Sequence, residues 1–230
     1  MKQRSCDWLL PLIALTALAD MISLFMVFVY VPTERIMGIV QRIFYFHVAS
    51  AWVGFLAFFV AFAAGATYLV QRRLRWDTVA TASIEIGVLF SITALVMGSL
   101  WARPVWNTWW TWDPRLTTTM VMCLYYVAAL MLRQMVEGDE RGARFTAVLS
   151  VVGFVNVPVV FFAIRLWRTI HPVLFSTSGF SLEPSMLLTL LASLATFTLL
   201  YLCLLAIRVR TERLSRRVAK LKRFVFSTRS

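Results

Sequence analysis

Six apolar stretches alternate with short polar segments along the chain. They are Trp8–Val31, Ile43–Val70, Val79–Trp101, Leu116–Leu132, Phe145–Ile164 and Met186–Ile207. Each approaches or exceeds the roughly 20 residues that a helix needs to cross a bilayer. Of the 230 residues, 60% are hydrophobic and only 15% are charged, so a water-soluble domain could not hide the apolar surface. The pattern predicts an all-α integral membrane protein, a bundle of six transmembrane helices.

Lysine and arginine are unevenly distributed between the loops. Seventeen of the 23 basic residues lie in the termini and in the loops after spans two and four. The positive-inside rule therefore places both termini in the cytoplasm and the loop between spans three and four on the outer side. We expect a multi-pass protein of the plasma (inner) membrane. This topology accounts for the net charge of +12, which we do not attribute to nucleic-acid binding.

The chain divides into a six-helix transmembrane domain, residues 1–207, and a basic cytoplasmic tail, residues 208–230. The tail has apolar residues at helical spacing and either lies on the anionic inner leaflet or is solvated. The first 20 residues imitate a signal peptide, but the apolar run continues to Tyr30, which favours an uncleaved helix. The sequence has no Walker motif, so ATP hydrolysis would belong to another chain.

The segment WNTWWTWDPR, residues 106–115, holds four tryptophans within seven residues. Trp106, Trp109, Trp110 and Asp113 are spaced i, i+3, i+4 and i+7, which predicts a short helix with these side chains on one face. Such a face would bind a flat, mostly apolar ligand. Two simpler interpretations remain open. The tryptophans anchor the chain at the membrane interface, or Asp113 caps span four and Pro114 is its first residue.

The only two histidines, His47 and His171, are both predicted on the outer side with the tryptophans. Each alone would most simply be a satisfied polar residue or a headgroup contact. As a pair, two neutral imidazoles from separate elements can bind iron from opposite sides. A flat macrocycle between them, beside the indoles, would be haem. Its propionates would need cations, and the candidates near the outer segments are Arg42, Arg103, Arg115, Arg165 and Arg168. Alternatively, these arginines anchor helix ends among lipid phosphates.

Two acids lie within the predicted spans, Asp20 and Glu85. Burying a charge in a membrane is costly, so each should face the bundle and find a partner. Asn156 and Pro158 predict a kink in span five, with the freed carbonyl satisfied by a neighbour.

The segment WNTWWTWDPRLT resembles the WWD signature, W-G-x-W-W-x-W-D-x-R-L-T, of haem-handling proteins in cytochrome c biogenesis. Within that family the chain is most similar to the haem exporter protein C (CcmC) group. The segments RIFYFHV and WRTIH of this chain resemble the two histidine regions of that group. The resemblance covers nearly the whole chain. One difference is Asn107, which replaces the usual glycine, although asparagine tolerates a positive φ better than most residues.

The resemblance implies that His47 and His171 are axial ligands of a non-covalent haem b. It implies a platform that holds the haem and offers its vinyl edge, formed by Trp106, Trp109, Trp110, Trp112 and Asp113. The partner would be the haem chaperone CcmE, which bonds covalently to that vinyl group. CcmA, CcmB and CcmD would complete the complex. The chain would then be a haem-presenting subunit and not itself an enzyme.

Three other functions remain open at this point. A sister WWD protein would attach haem to apocytochrome c directly, but such chains are typically longer. A bis-histidine haem b electron carrier would usually bury both histidines within helices. A transporter subunit without haem would use the tryptophans only as anchors.

Overall fold

The computed structural model describes residues 8–136, 138–167, 169, 171, 175–176, 179–180 and 182–227. Helix α1 covers Leu9–Phe25 and continues as a π-helical segment, Met26–Tyr30. The other helices are α2 Gln41–Gln71, α3 Leu74–Trp106, α4 Pro114–Met135, α5 Asp139–Gly153, α6 Asn156–Leu166 and α7 Pro184–Ser227. Between α6 and α7, the two-residue strands β1 Phe175–Ser176 and β2 Gly179–Phe180 pair antiparallel.

Within the described residues, six helical segments are long and apolar enough to cross a membrane. The predicted number of spans and the helical fold class are therefore confirmed. The fifth segment, Glu140–Leu166, combines α5 and α6. The last helix continues without a break past Ile207, where the predicted sixth span ended, as far as Ser227. Which side of the membrane each end occupies stays a prediction.

The fifth span is interrupted close to the predicted kink. Helix α5 ends at Gly153, and α6 begins at Asn156 after a two-residue turn. The side-chain amide of Asn156 donates to the carbonyl of Gly153 at 3.1 Å. The carbonyl freed by the break is therefore satisfied by the nearby side chain of Asn156. Pro158 lies in the first turn of α6, where a missing N–H breaks no helical hydrogen bond.

Helices α2, α3 and α4 form the core of the bundle because small residues bring α2 and α3 close together. A Cβ added to Gly54 would lie 2.9 Å from Oγ of Ser91, and one added to Gly87 would lie 2.7 Å from the ring of Phe58. Close approach at small residues is a common basis of helix packing in membranes. The Phe58 ring also stacks on Tyr126 of α4, with centroids 3.8 Å apart. This packing fixes the relative positions of the helix ends that carry the site.

Candidate functional site

The tryptophan segment is a loop that joins two helices. Helix α3 ends at Trp106 because Asn107 adopts the left-handed conformation, φ 56°. Helix α4 begins with Pro114, and its N-cap Asp113 accepts a hydrogen bond from the backbone N–H of Arg115 at 2.9 Å. The predicted short helix from Trp106 to Asp113 is therefore wrong. The alternative, in which Asp113 caps span four, is confirmed, and Asn107 has the positive φ that asparagine tolerates.

A cavity of about 720 Å³, including its open mouth, lies beside this loop; we call it the tryptophan pocket. Its lining includes both histidines and three of the four segment tryptophans, Trp106, Trp109 and Trp110. Trp101 of α3 also lines it, although sequence reasoning did not select that residue. Trp112 is not part of this lining; it is 73% exposed, and its ring meets Trp110 edge-on with centroids 5.9 Å apart.

His47 on α2 is oriented by helix α3. Its Nδ1 lies 2.8 Å from the carbonyl oxygen of Ala94. A carbonyl oxygen only accepts, so Nδ1 carries the proton and Nε2 keeps its lone pair. The ring fits closely against Gly98, where a Cβ would lie 2.9 Å from its Cε1. Sequence reasoning missed both α3 residues, because their role depends on how α2 and α3 pack.

His171 is oriented by the tryptophan segment. Its Nδ1 lies 3.3 Å from Oδ1 of Asp113, and its ring meets Trp106 edge-on with centroids 5.5 Å apart. Burial lowers the pKa of His171 to about 4; the positive charge of Arg115 acts in the same direction, and Asp113 opposes it. At neutral pH the imidazole is therefore uncharged. Because the carboxylate accepts from Nδ1, the lone pair is on Nε2, as metal-ligating histidines require.

The two histidines meet at the boundary of two cavities. They line the tryptophan pocket and also a second cavity of about 490 Å³, a volume that includes its open mouth. The second cavity extends further into the bundle, to Phe55 of α2 and Met122 of α4. Arg115 lines both cavities as well. The structure thus brings together two imidazoles and one guanidinium that are far apart in the sequence.

The five predicted arginines differ in position. Arg115 lines both cavities. The guanidinium of Arg103 lies 5.9 Å from the ring centroid of Trp109, which lines the tryptophan pocket. Arg42 and Arg165 are not among the residues that line either cavity. Arg168 lies outside the described residues. Arg115 is therefore the strongest candidate for contact with a ligand's acidic group.

Several polar atoms at the tryptophan pocket lack a partner. The indole N–H groups of Trp101 and Trp110 and the hydroxyl of Thr111 are buried, with no hydrogen-bond partner in the part of the chain that the structure describes. An unsatisfied buried donor costs about 1–3 kcal/mol. A ligand with acceptor atoms at its edge would satisfy these donors.

The described residues form no group of three or more histidine, cysteine, aspartate or glutamate side chains that could bind a bare metal ion. Two imidazoles can still bind a metal ion whose other ligands come from a macrocycle. A flat apolar macrocycle with acidic edges fits the indole walls, the unpaired donors and Arg115.

The fold and the site define a class: a multi-span helical membrane protein with a tryptophan-walled, paired-histidine pocket at one end of its bundle. Residues 1–224 match the family model described as heme exporter protein C. The chain belongs to this family.

Similar proteins support the same assignment. The heme exporter protein C of Bradyrhizobium diazoefficiens is 37% identical over 193 residues, which are 83% of this chain and 73% of the relative. That of Paracoccus denitrificans is 31% identical over 196 residues, 83% of this chain and 80% of the relative. That of Escherichia coli is 29% identical over 207 residues, 89% of this chain and 84% of the relative.

Proposed function

We propose that the chain binds haem b non-covalently in the tryptophan pocket and presents it to the haem chaperone CcmE during cytochrome c maturation. The observation that carries the proposal is the convergence of His47 and His171 on one pocket. Each directs Nδ1 to an oxygen acceptor, which leaves Nε2 as the ligand atom. Membership of the heme exporter protein C family supports a role in haem delivery for cytochrome c maturation.

The residues of the chain have separate roles in this proposal. His47 and His171 would bind the iron, and Trp106, Trp109 and Trp110 would cover the apolar surface of the macrocycle. The unpaired donors and Arg115 contact its acidic edge. The bound haem supplies the vinyl group to which the chaperone bonds. Asp113 holds His171 in the ligating tautomer.

The partners follow from the same proposal. CcmA, CcmB and CcmD form the complex with this chain, and the chain serves as its haem-binding subunit without catalysing a reaction itself. The pocket faces the outer side of the inner membrane, and both termini lie in the cytoplasm. Trp112 is 73% exposed beside Trp110, which is a suitable position for contact with the chaperone.

Absorption spectra of the detergent-purified protein test the ligand assignment. The wild type should show a b-type low-spin haem spectrum in the oxidised and reduced states. His47→Ala and His171→Ala should each disturb it, and the double variant should lose it. Since the chain has only two histidines, no other imidazole can substitute. Arg165→Ala, at an exposed residue that lines neither cavity, is the control. A normal low-spin spectrum in the double variant would exclude these ligands.

A further inference from the structure

The far end of α7 carries an exposed apolar stripe. Leu214, Val218 and Leu221 follow each other at i, i+4 and i+7, so they share one face of the helix. They are 60%, 43% and 64% exposed, respectively. Basic residues flank the stripe on both sides, namely Arg213, Arg217 and Lys222.

The opposite face of the same helix is bound to the bundle by an ion-pair cluster. Arg208 contacts Glu85 through two bonds, at 2.6 and 2.8 Å, and Arg216 contacts Asp77 at 3.1 Å. Asp77, whose side chain is fully buried, also receives two bonds from Arg133 of α4, at 2.7 and 2.8 Å. Bidentate arginine–carboxylate contacts fix geometry more strongly than single ones.

These contacts show that α7 runs alongside α3 in the opposite direction. The ring of Phe197 meets that of Phe90, and further along α7 the cluster pairs Arg208 with Glu85 and then Arg216 with Asp77. At least as far as Arg216, α7 therefore follows the axis of the bundle. It does not turn onto a membrane surface before that residue.

The length of α3 places the stripe beyond the hydrocarbon core of the bilayer, and its far end beyond the headgroups. Asp77 and Trp106 lie on this one helix, so they are about 44 Å apart at a rise of ~1.5 Å per residue. The hydrocarbon core is only ~30 Å thick, and the headgroups extend it to ~40–45 Å. With the tryptophans at one interface, Asp77 lies at or beyond the opposite headgroups. Leu221 lies five residues past Arg216 on α7, about 8 Å further out.

We propose that this stripe is the docking surface for a soluble protein with an apolar contact patch and an acidic rim. The apolar side chains would contact the patch, and Arg213, Arg217 and Lys222 would pair with the rim. The hydrocarbon core of the bilayer cannot cover the stripe, because the helix carries all three side chains past the ~30 Å thickness of that core. The ion-pair cluster holds the helix in this position. Given the proposed function, the partner is a subunit of the same complex on the side opposite the tryptophan pocket.

The test uses the full chain assembled with CcmB and CcmD in nanodiscs, and CcmA as the soluble probe. Leu221→Asp places a negative charge in the stripe and should reduce the bound CcmA about tenfold or more, because the charge would lose its water in the apolar contact. Ala219→Asp is the matched control, because it adds the same charge at an exposed residue of the other face. Arg213→Glu/Arg217→Glu should weaken CcmA binding as Leu221→Asp does. Equal CcmA binding by Leu221→Asp and Ala219→Asp would overturn the proposal.

A second measurement distinguishes a protein partner from the membrane. A polarity-sensitive fluorophore on Leu221→Cys, with Cys6 replaced by serine, should shift its emission only when CcmA is added. Cys123 and Cys203 are buried and should not react. A shift caused by anionic lipid alone would identify the bilayer as the occupant and overturn the proposal. The haem spectrum of each variant reports separately on the tryptophan pocket, so failure of the proposed function would be recognised independently.

Discussion

Replacing Gly98 by alanine should lower the affinity for haem without unfolding the protein. The new Cβ would lie 2.9 Å from Cε1 and 3.2 Å from Nδ1 of His47, whereas ordinary contacts begin at 3.4 Å. The ring of His47 must therefore move away from the new Cβ by about 0.5 Å, because the close packing leaves no space between the two groups. That movement is enough to lengthen the 2.8 Å hydrogen bond from Nδ1 to the Ala94 carbonyl beyond the ~3.2 Å limit of a good bond.

The expected losses differ for binding and for stability. Removing an outer-shell partner of a metal-ligating histidine typically costs about 10–100-fold in affinity, and we expect haem affinity to fall in this range. The displaced ring costs about 0.5–1.5 kcal/mol of strain. Alanine in a helix interior recovers about 0.5–1 kcal/mol relative to glycine. The free energy of unfolding should therefore change little.

Haem titration followed by absorption, together with thermal unfolding in the same detergent, measures both quantities. Gly142→Ala is the matched control, because a Cβ at this helical position would meet nothing nearer than 3.9 Å. It should leave haem affinity unchanged. Wild-type affinity and an unchanged low-spin spectrum in Gly98→Ala would show that His47 does not bind iron in the orientation described.

Three further predictions follow from the contacts. Asp113→Asn keeps a good N-cap but removes the charge beside His171, so spectroelectrochemistry should find a more positive haem reduction potential and thermal unfolding only a small change. Trp110→Phe removes an unpaired indole donor from the pocket and should weaken haem binding severalfold. Trp112→Phe should leave haem binding intact and slow only the transfer of haem to CcmE, which a transfer assay would detect. Asp77→Asn removes the buried charge that two partly buried arginines, Arg133 and Arg216, share, and denaturant unfolding should show a loss of about 3 kcal/mol. An unchanged midpoint would contradict the described burial of Asp77.

The spans could be predicted from the sequence because each apolar run must satisfy the thickness of a bilayer. Their ends could not be predicted as well. Helices α3 and α7 continue into polar residues, where hydropathy no longer marks the helix but backbone hydrogen bonding and the ion-pair cluster maintain it. The helical spacing of the segment tryptophans was misleading, because the left-handed conformation of Asn107 ends α3 before that periodicity can form a helix.

The candidate site was predicted only in part. Sequence placed His47 and His171 on one side of the membrane, but their convergence depends on how α2, α3 and the tryptophan segment pack. The prediction that Glu85 would find a partner is confirmed by its contact with Arg208. The cluster around Asp77 was missed, because arginines near span ends were counted only as indicators of topology. The sequence signal for this cluster would have been an acidic residue and several arginines at the same end of separate spans.

The two proposed iron ligands are anchored differently, and this difference sets an order of ligand exchange. His47 belongs to a long helix, and its ring is seated against the backbone of another. His171 lies outside the helices, where it contacts the carboxylate of Asp113, the ring of Trp106 and the hydroxyl of Thr169. The bond from iron to His171 should therefore break more readily than the bond to His47. An incoming ligand would replace His171 first, and haem would remain attached through His47 until the exchange is complete.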